Sequence, residues 1–243
     1  MVGFHKTSSS SGYYPKYPVY SFVSAQFDNK PWVKRSLLSK FSRHGLISIG
    51  TSPHNTRRLT KACLKATAVS SQITIAQQDL LDYVLPLDLG RKALNNSAMK
   101  AVVNEKLALL ELMNPIPVPV DSPELDGRWR LLYTDSELVL GVSRPRWFQP
   151  VGALYQTIFL DTLEAENAET IKPFGISLEN KVWATLTKSP PKKVFLQFRR
   201  FQFGPIRFSA PTNARGFLET TFLDHRMRIS RDHRKHVFVL VKE

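Results

Sequence analysis

Three histidines close to the C-terminus, His225, His233 and His236, are the first residues of this sequence whose type and spacing suggest chemistry. Imidazoles grouped in this way can hold zinc or copper. Five cations, Arg226, Arg228, Arg231, Arg234 and Lys235, are interleaved with them. Neighbouring positive charge opposes a dication, so the segment reads as a solvated basic hairpin and no metal is expected. Glu164, Glu166 and Glu169 are spaced for general acid–base work. They fall in what reads as a loop between strands, where acids usually solvate a turn. Asp126 and Asp224 border strand-like segments and suit turn anchors. There is no Gly-x-Ser-x-Gly elbow, and the eleven glycines are too scattered for a phosphate cradle. The one cysteine, Cys63, leaves no disulfide framework and no thiolate zinc site. Nothing assembles a nucleophile, a base and an orienting group, so neither catalysis nor a cofactor is expected.

Two apolar segments remain that a loop should not need. One runs Arg144-Pro145-Arg146-Trp147-Phe148-Gln149-Pro150-Val151, the other Phe201-Gln202-Phe203-Gly204-Pro205-Ile206-Arg207-Phe208. At a lipid interface, aromatic rings settle among the headgroups while arginine meets phosphate. Arg144, Arg146, Trp147, Phe148, Phe201, Phe203, Ile206 and Phe208 are therefore the expected lipid contacts. The competing reading is that these aromatics cap one end of a β core. Both hold if that cap is a mouth that meets lipid.

The elements that must position these residues change character along the chain. Asp79–Leu85 places Leu80, Leu81, Val84 and Leu85 on one helical face, limited by Pro86. Ser97 suits the N-cap of a second helix, in which Met99, Val103, Leu107 and Leu110 recur at helical spacing until Asn114-Pro115. Alternate prolines at 115, 117 and 119 then enforce an extended connector without helix or ladder. From Arg128 the period falls to two, with Trp129, Leu131 and Tyr133 on one face. Further strands are expected at Leu154–Leu160, Glu169–Lys172, Lys181–Thr187, Lys193–Phe203, Phe217–Leu223, Arg226–Arg231 and Val237–Lys242. The pattern predicts a mainly β fold: seven to nine antiparallel strands after two short helices, with closure into a barrel removing the edges.

The chain has 243 residues and a formal net charge of +14. That length allows one full domain and a fraction of another. Eleven Lys/Arg and one acid, Asp28, lie in residues 1–65, which is +10; residues 66–243 hold twenty-three Lys/Arg and nineteen acids, which is +4. A basic, hydroxyl-rich, acid-poor N-terminus is the composition of an organelle transit peptide. Residues 1–65 are accordingly expected to be disordered and cleaved, the stretch Arg57–Ala66 marking their end. The competing reading is a disordered nucleic-acid-binding arm. No run of about 18 apolar residues crosses a membrane as a helix.

Two blocks of the sequence resemble the plastid lipid-associated proteins, or plastid fibrillins. One is Asn114-Pro115 followed by Leu125-Asp126-Gly127-Arg128-Trp129-Arg130-Leu131-Leu132-Tyr133-Thr134. The other is Ala214-Arg215-Gly216-Phe217-Leu218-Glu219-Thr220-Thr221-Phe222-Leu223-Asp224, continued by Met227-Arg228-Ile229-Ser230-Arg231 and Val237–Val241. The resemblance covers about residues 75–243. It implies a plastid location, a lipocalin-like barrel over 127–243 behind helices at 74–113, and peripheral attachment to plastoglobules or thylakoids. It implies a structural or lipid-binding role rather than an enzyme, with Gly127, Trp129, Asp224 and Arg228 as structural residues. Gly127 would let the backbone turn tightly and Trp129 would plug the closed end. Arg228 or Arg231, on opposite sides of one strand, would lie across the indole, and the resemblance favours Arg228.

Where the family usually has acids and a Gly-Asp-Lys-Gly-Asn turn, this chain has His225-Arg226 and Asp232–His236. The more cationic hairpin would strengthen attraction to anionic lipid. The expected partner is a lipid surface or a bound isoprenoid, quinone or acyl chain, an apolar interior gaining about 25 cal/mol per Å² buried. The alternative is a non-catalytic auxiliary of a plastid prenyl-quinone or lipid biosynthetic enzyme. Single-stranded nucleic-acid binding on a basic aromatic sheet is disfavoured by the modest +4, and no nucleic-acid partner is expected.

Overall fold

The computed structural model describes residues 53–243, with side chains from residue 67 onward. Most of the expected transit segment, residues 1–52, lies outside the described residues, and its expected end near residue 65 falls within the first helix. Helix α1 (Pro53–Val84) and α2 (Ser97–Leu112) precede nine strands, with a one-turn helix α3 (Glu137–Leu140) after the first. The strands are β1 (Gly127–Thr134), β2 (Tyr155–Phe159), β3 (Glu164–Ile171), β4 (Leu178–Ser189), β5 (Lys193–Phe203), β6 (Ile206–Ser209), β7 (Arg215–Leu223), β8 (Met227–Asp232) and β9 (Val237–Lys242).

All pairings are antiparallel, and β1 pairs with both β2 and β9 while β4 pairs with β5. The sheet therefore closes into an eight-stranded barrel. Strand β6 is a spur, pairing only with the last turn of β5, whose first half pairs with β7. One end of the barrel carries the β1–β2, β3–β4, β5–β6 and β8–β9 connections. The opposite, closed end carries the start of β1, the β7–β8 turn and the end of β9.

Two apolar clusters flank the barrel wall. The interior holds Trp129, Leu131, Leu154, Ile158, Leu186, Leu196, Phe198 and Phe201, among others. Outside, α1 and α2 lay Leu80, Val84, Val103, Leu107 and Leu110 against Tyr133, Phe222, Met227, Ile229 and Val239. The helices thus cover one outer face, which is why β8 and β9 are apolar where a solvated barrel would be polar. On β8 the usual arrangement is reversed: Met227 and Ile229 face the helices, while Arg228 and Ser230 are buried and line the barrel cavity.

Several expectations are corrected here. Tyr133 does not share a face with Trp129 and Leu131, because the register shifts between Leu131 and Tyr133 and turns the tyrosine toward the helices. Leu85 is exposed, since α1 ends at Val84 and a kinked 3-10 segment follows. Gly90 in that segment has φ 106°, and a Cβ there would lie 2.1 Å from the Thr134 carbonyl oxygen. The N-cap of α2 is Asn96, whose side chain accepts from the Met99 amide at 3.0 Å; Ser97 is the first helical residue. The proline connector ends in a 3-10 turn at Pro119–Asp121, and Val120 is buried in the barrel cluster. Glu164, Glu166 and Glu169 lie on strand β3 rather than in a loop.

Candidate functional site

The closed end of the barrel is built around the indole of Trp129, which is fully buried and donates from Nε1 to the Leu125 carbonyl at 3.0 Å. Gly127, two residues earlier, has φ 107°, a conformation that only glycine adopts without strain. The Arg228 guanidinium lies 4.9 Å from the indole centroid, and Lys242 Nζ lies 5.4 Å from it. Arg231 lies on the other side of the wall, where it pairs with Glu111 of α2 at 2.8 Å. Asp224 anchors the β7–β8 turn, accepting from the amides of Arg226 and Met227, and takes a further bond from Gln77 of α1. Asp126 accepts from the Leu160 amide at 2.8 Å.

The strand between them separates the histidines. His225 sits in the β7–β8 turn at the closed end, while His233 and His236 sit in the β8–β9 turn at the other. Strand β8, six residues and about 20 Å long, lies between. His236 Nδ1 lies 2.9 Å from the buried carboxylate of Asp232, which raises the imidazole pKa above its usual 6.5. Of the expected carboxylate triplet, Glu164 is exposed and Glu166 accepts from Trp183 Nε1 at 2.8 Å and pairs with Lys181.

Glu169 is buried and forms a bidentate pair with Arg144 at 2.7 and 3.0 Å, with Asn180 donating to the same carboxylate. Arg144 also donates to the Phe148 carbonyl. The expected lipid contact at Arg144 is thereby corrected: its charge is consumed inside the barrel, and it staples the loop that carries Trp147 and Phe148. Phe201 is likewise removed from the surface, 2% exposed and packed against Phe198 and Phe208.

The remaining expected residues converge at the end opposite Trp129. Phe148 stacks on Phe203 with centroids 6.2 Å apart, which brings the two apolar segments together. Phe148, Phe203 and Phe208 are half-buried, whereas Arg146, Trp147 and Ile206 are exposed. A third loop, missed in the sequence, joins them. Phe174, in the β3–β4 turn, stacks on Trp147 at 5.8 Å and is 79% exposed, and Ile176 beside it is 63% exposed. Phe174 also holds φ 52°, an unusual conformation for a bulky residue. The available signal was a Phe and an Ile separated by Gly175 in a turn that a soluble surface would fill with polar residues. The three loops, 144–151, 172–177 and 203–207, contain Arg144, Arg146, Lys172 and Arg207 and no acid. With Arg144 neutralised by Glu169, three exposed cations rim an apolar tip.

The barrel interior holds a small cavity of about 40 Å³, lined by Leu131, Leu154, Gln156, Arg228, Ser230 and Phe238 among others. An acyl or isoprenoid ligand needs several hundred Å³, so this cavity as it stands does not hold a lipid tail.

The PAP_fibrillin family model matches residues 74–241. Among curated proteins, this chain is 32% identical over 166 residues to "Probable plastid-lipid-associated protein 5, chloroplastic" of Arabidopsis thaliana, covering 68% of each chain. It is 27% identical over 233 residues to "Chromoplast-specific carotenoid-associated protein C1, chromoplastic" of an Oncidium hybrid cultivar, covering 74% of this chain and 72% of that one. It is 31% identical over 134 residues to "Plastoglobulin-1, chloroplastic" of Pisum sativum, covering 53% of this chain and 36% of the pea protein. With the Gly127–Trp129 start of the barrel, the Arg228 stack and all but the last residue of β9 inside the matched span, the chain belongs to the PAP_fibrillin family and is a plastid protein.

Proposed function

We propose that this protein attaches peripherally to lipid surfaces of the plastid, plastoglobules or thylakoids, through the tip formed by Trp147, Phe174, Ile176 and Ile206, and that it does so without catalysing a reaction. The observation that carries this reading is the convergence of three acid-free loops on one barrel end, exposing Trp147, Phe174, Ile176 and Ile206 inside a rim of Arg146, Lys172 and Arg207. Complete transfer of such a side chain out of water is worth about 1.5–3 kcal/mol, and a cation near an anionic surface adds about 1 kcal/mol. Partial insertion of four side chains with three cations is enough for reversible attachment. The lipid- and carotenoid-associated names of its relatives agree with this reading.

Flotation of the full chain with vesicles containing an anionic lipid tests it. The wild type is expected to float with the vesicles and to bind more weakly as salt rises. The double variant Trp147→Ser, Phe174→Ser should lose binding by about tenfold or more while its fold is preserved, since both side chains are largely exposed. Equal flotation of the variant would remove the proposal.

A second reading, an auxiliary to a plastid prenyl-quinone or lipid biosynthetic enzyme, draws on the outer groove between α1 and α2. That groove of about 550 Å³ is lined by Ile75, Val102, Leu109 and Met113. Stoichiometric recovery of such an enzyme with the wild type, and its loss with Leu109→Ser, would support it.

A further inference from the structure

The interior of the barrel carries a cation that its own fold does not neutralise. Arg228 is 2% exposed, yet no carboxylate lies within ion-pair distance of it among the described residues. Burial pushes its pKa down to about 9, with no opposing charge to restore it. One guanidinium nitrogen donates to Gln156 Oε1, and the Nε is buried without any hydrogen-bond partner. The Trp129 ring gives an electrostatic contact but accepts no proton.

The contrast with Arg144 is instructive. That arginine is also buried in the barrel and its Nε likewise has no partner, but its charge is met by a bidentate carboxylate, so the missing counter-ion is what sets Arg228 apart. This interior therefore supplies a counter-ion where an arginine is purely a staple, and supplies none at Arg228. A buried charge left unpaired is costly, and a buried donor left unmade adds to that cost.

The space beside Arg228 is polar on the matching side. Gln156, Asn167 and Ser230 line the cavity with it, and Gln156 donates to Asn167, so its own oxygen is turned toward the guanidinium. Apart from Tyr155, the rest of the lining is aliphatic or phenylalanine: Leu131, Val139, Leu154, Leu218, Phe238 and Leu240. A volume of about 40 Å³ admits roughly two or three non-hydrogen atoms, which is the size of a carboxylate and not of a lipid tail. A neutral carbonyl would satisfy the Nε–H but leave the charge uncompensated. An anion satisfies both.

We propose that the cavity beside Arg228 is a binding site for a carboxylate, held by the guanidinium and Ser230 and backed by Trp129. The carboxylate can belong to a small free acid, which the cavity of about 40 Å³ admits as it stands, or to the head of a fatty acid, which binds only if the cavity enlarges to take the tail. The site lies inside the barrel wall and is independent of the tip, so the two proposals stand or fall separately.

Titration calorimetry and thermal shift on the full chain, without vesicles, test it with acetate, laurate below its micelle concentration, and dodecanol. At least one carboxylate is expected to bind and raise the melting temperature, and dodecanol is expected to bind at least about tenfold more weakly than laurate. Binding of acetate identifies a free acid as sufficient; binding of laurate alone assigns the site to a fatty acid. Arg228→Met is expected to abolish carboxylate binding, and Gln156→Leu, which leaves the cation in place, to weaken it. Trp147→Ser, at the tip, should leave it unchanged. The proposal is overturned if neither carboxylate binds, if dodecanol equals laurate, or if laurate binding is lost in Trp147→Ser. It is also overturned if binding survives in Arg228→Met or, should that variant not fold, is unaltered in Gln156→Leu.

Discussion

Phe174 combines two features that rarely coincide, a large exposed ring and a left-handed backbone. Strain of this kind costs about 1–3 kcal/mol in a non-glycine residue, and the stack on Trp147 offsets about 0.5–1.5 kcal/mol of it. Phe174→Gly relieves that strain but loses the stack and frees the unfolded chain by about 0.4–1 kcal/mol, so it should leave unfolding stability within about 1 kcal/mol of wild type in denaturant titration, while weakening vesicle flotation. Undiminished flotation would show the ring to be idle. His236 gives a second residue-level prediction. Its bond to Asp232 raises the folded-state pKa above the usual 6.5, so the contribution to stability is complete below that value and is lost as pH rises through the folded-state pKa. The melting temperature should fall across that interval more in the wild type than in His236→Asn. The parity of Arg228 and Arg231 was readable in the sequence, and they do face opposite sides of β8. The burial of Arg144 was not, because it lies in a loop while its partner Glu169 lies on β3, and a sequence gives no distance between them.

At the scale of elements, the strands with β-branched and aromatic alternation were legible: β5 and β9 have the expected bounds. Strand β3 was largely missed, because Glu164-Ala-Glu-Asn-Ala-Glu carries little β propensity; its alternation of outward Glu164 and Glu166 with inward Ala165, Asn167 and Glu169 makes sense only beside β2 and β4. Bulges at Leu131/Tyr133 and Thr220/Phe222 reverse the facing of Tyr133 and Phe222, a shift that strict two-residue periodicity cannot express. The tip loops have no period, and their meeting is a property of the barrel. Holding the first of them falls to the Arg144–Glu169 pair. Breaking a buried pair from one side costs about 3–5 kcal/mol, so Glu169→Ala should lower stability by that order in denaturant titration. It should also loosen residues 144–151 enough to impair flotation, although no tip side chain is changed.

At the scale of the molecule, the barrel is closed and has apolar matter packed on both sides of one wall. Attachment through the tip then requires no opening of the sheet. Hydrogen exchange on vesicles should show added protection in 144–151, 172–177 and 203–207, with β1, β8 and β9 unchanged. Loss of protection in those three strands would mean that the barrel opens at the surface. The direction of the strands also fixes which way the chain leaves the lipid. Strand β9 runs from the tip end to the closed end, and Glu243 beyond it bonds to Arg128 and Arg130 at the start of β1. A protein docked by its tip therefore holds Glu243 away from the lipid. A fluorescent domain fused after Glu243 would ride clear of the lipid without disturbing docking, whereas one inserted at residue 175 would stand between the protein and its surface.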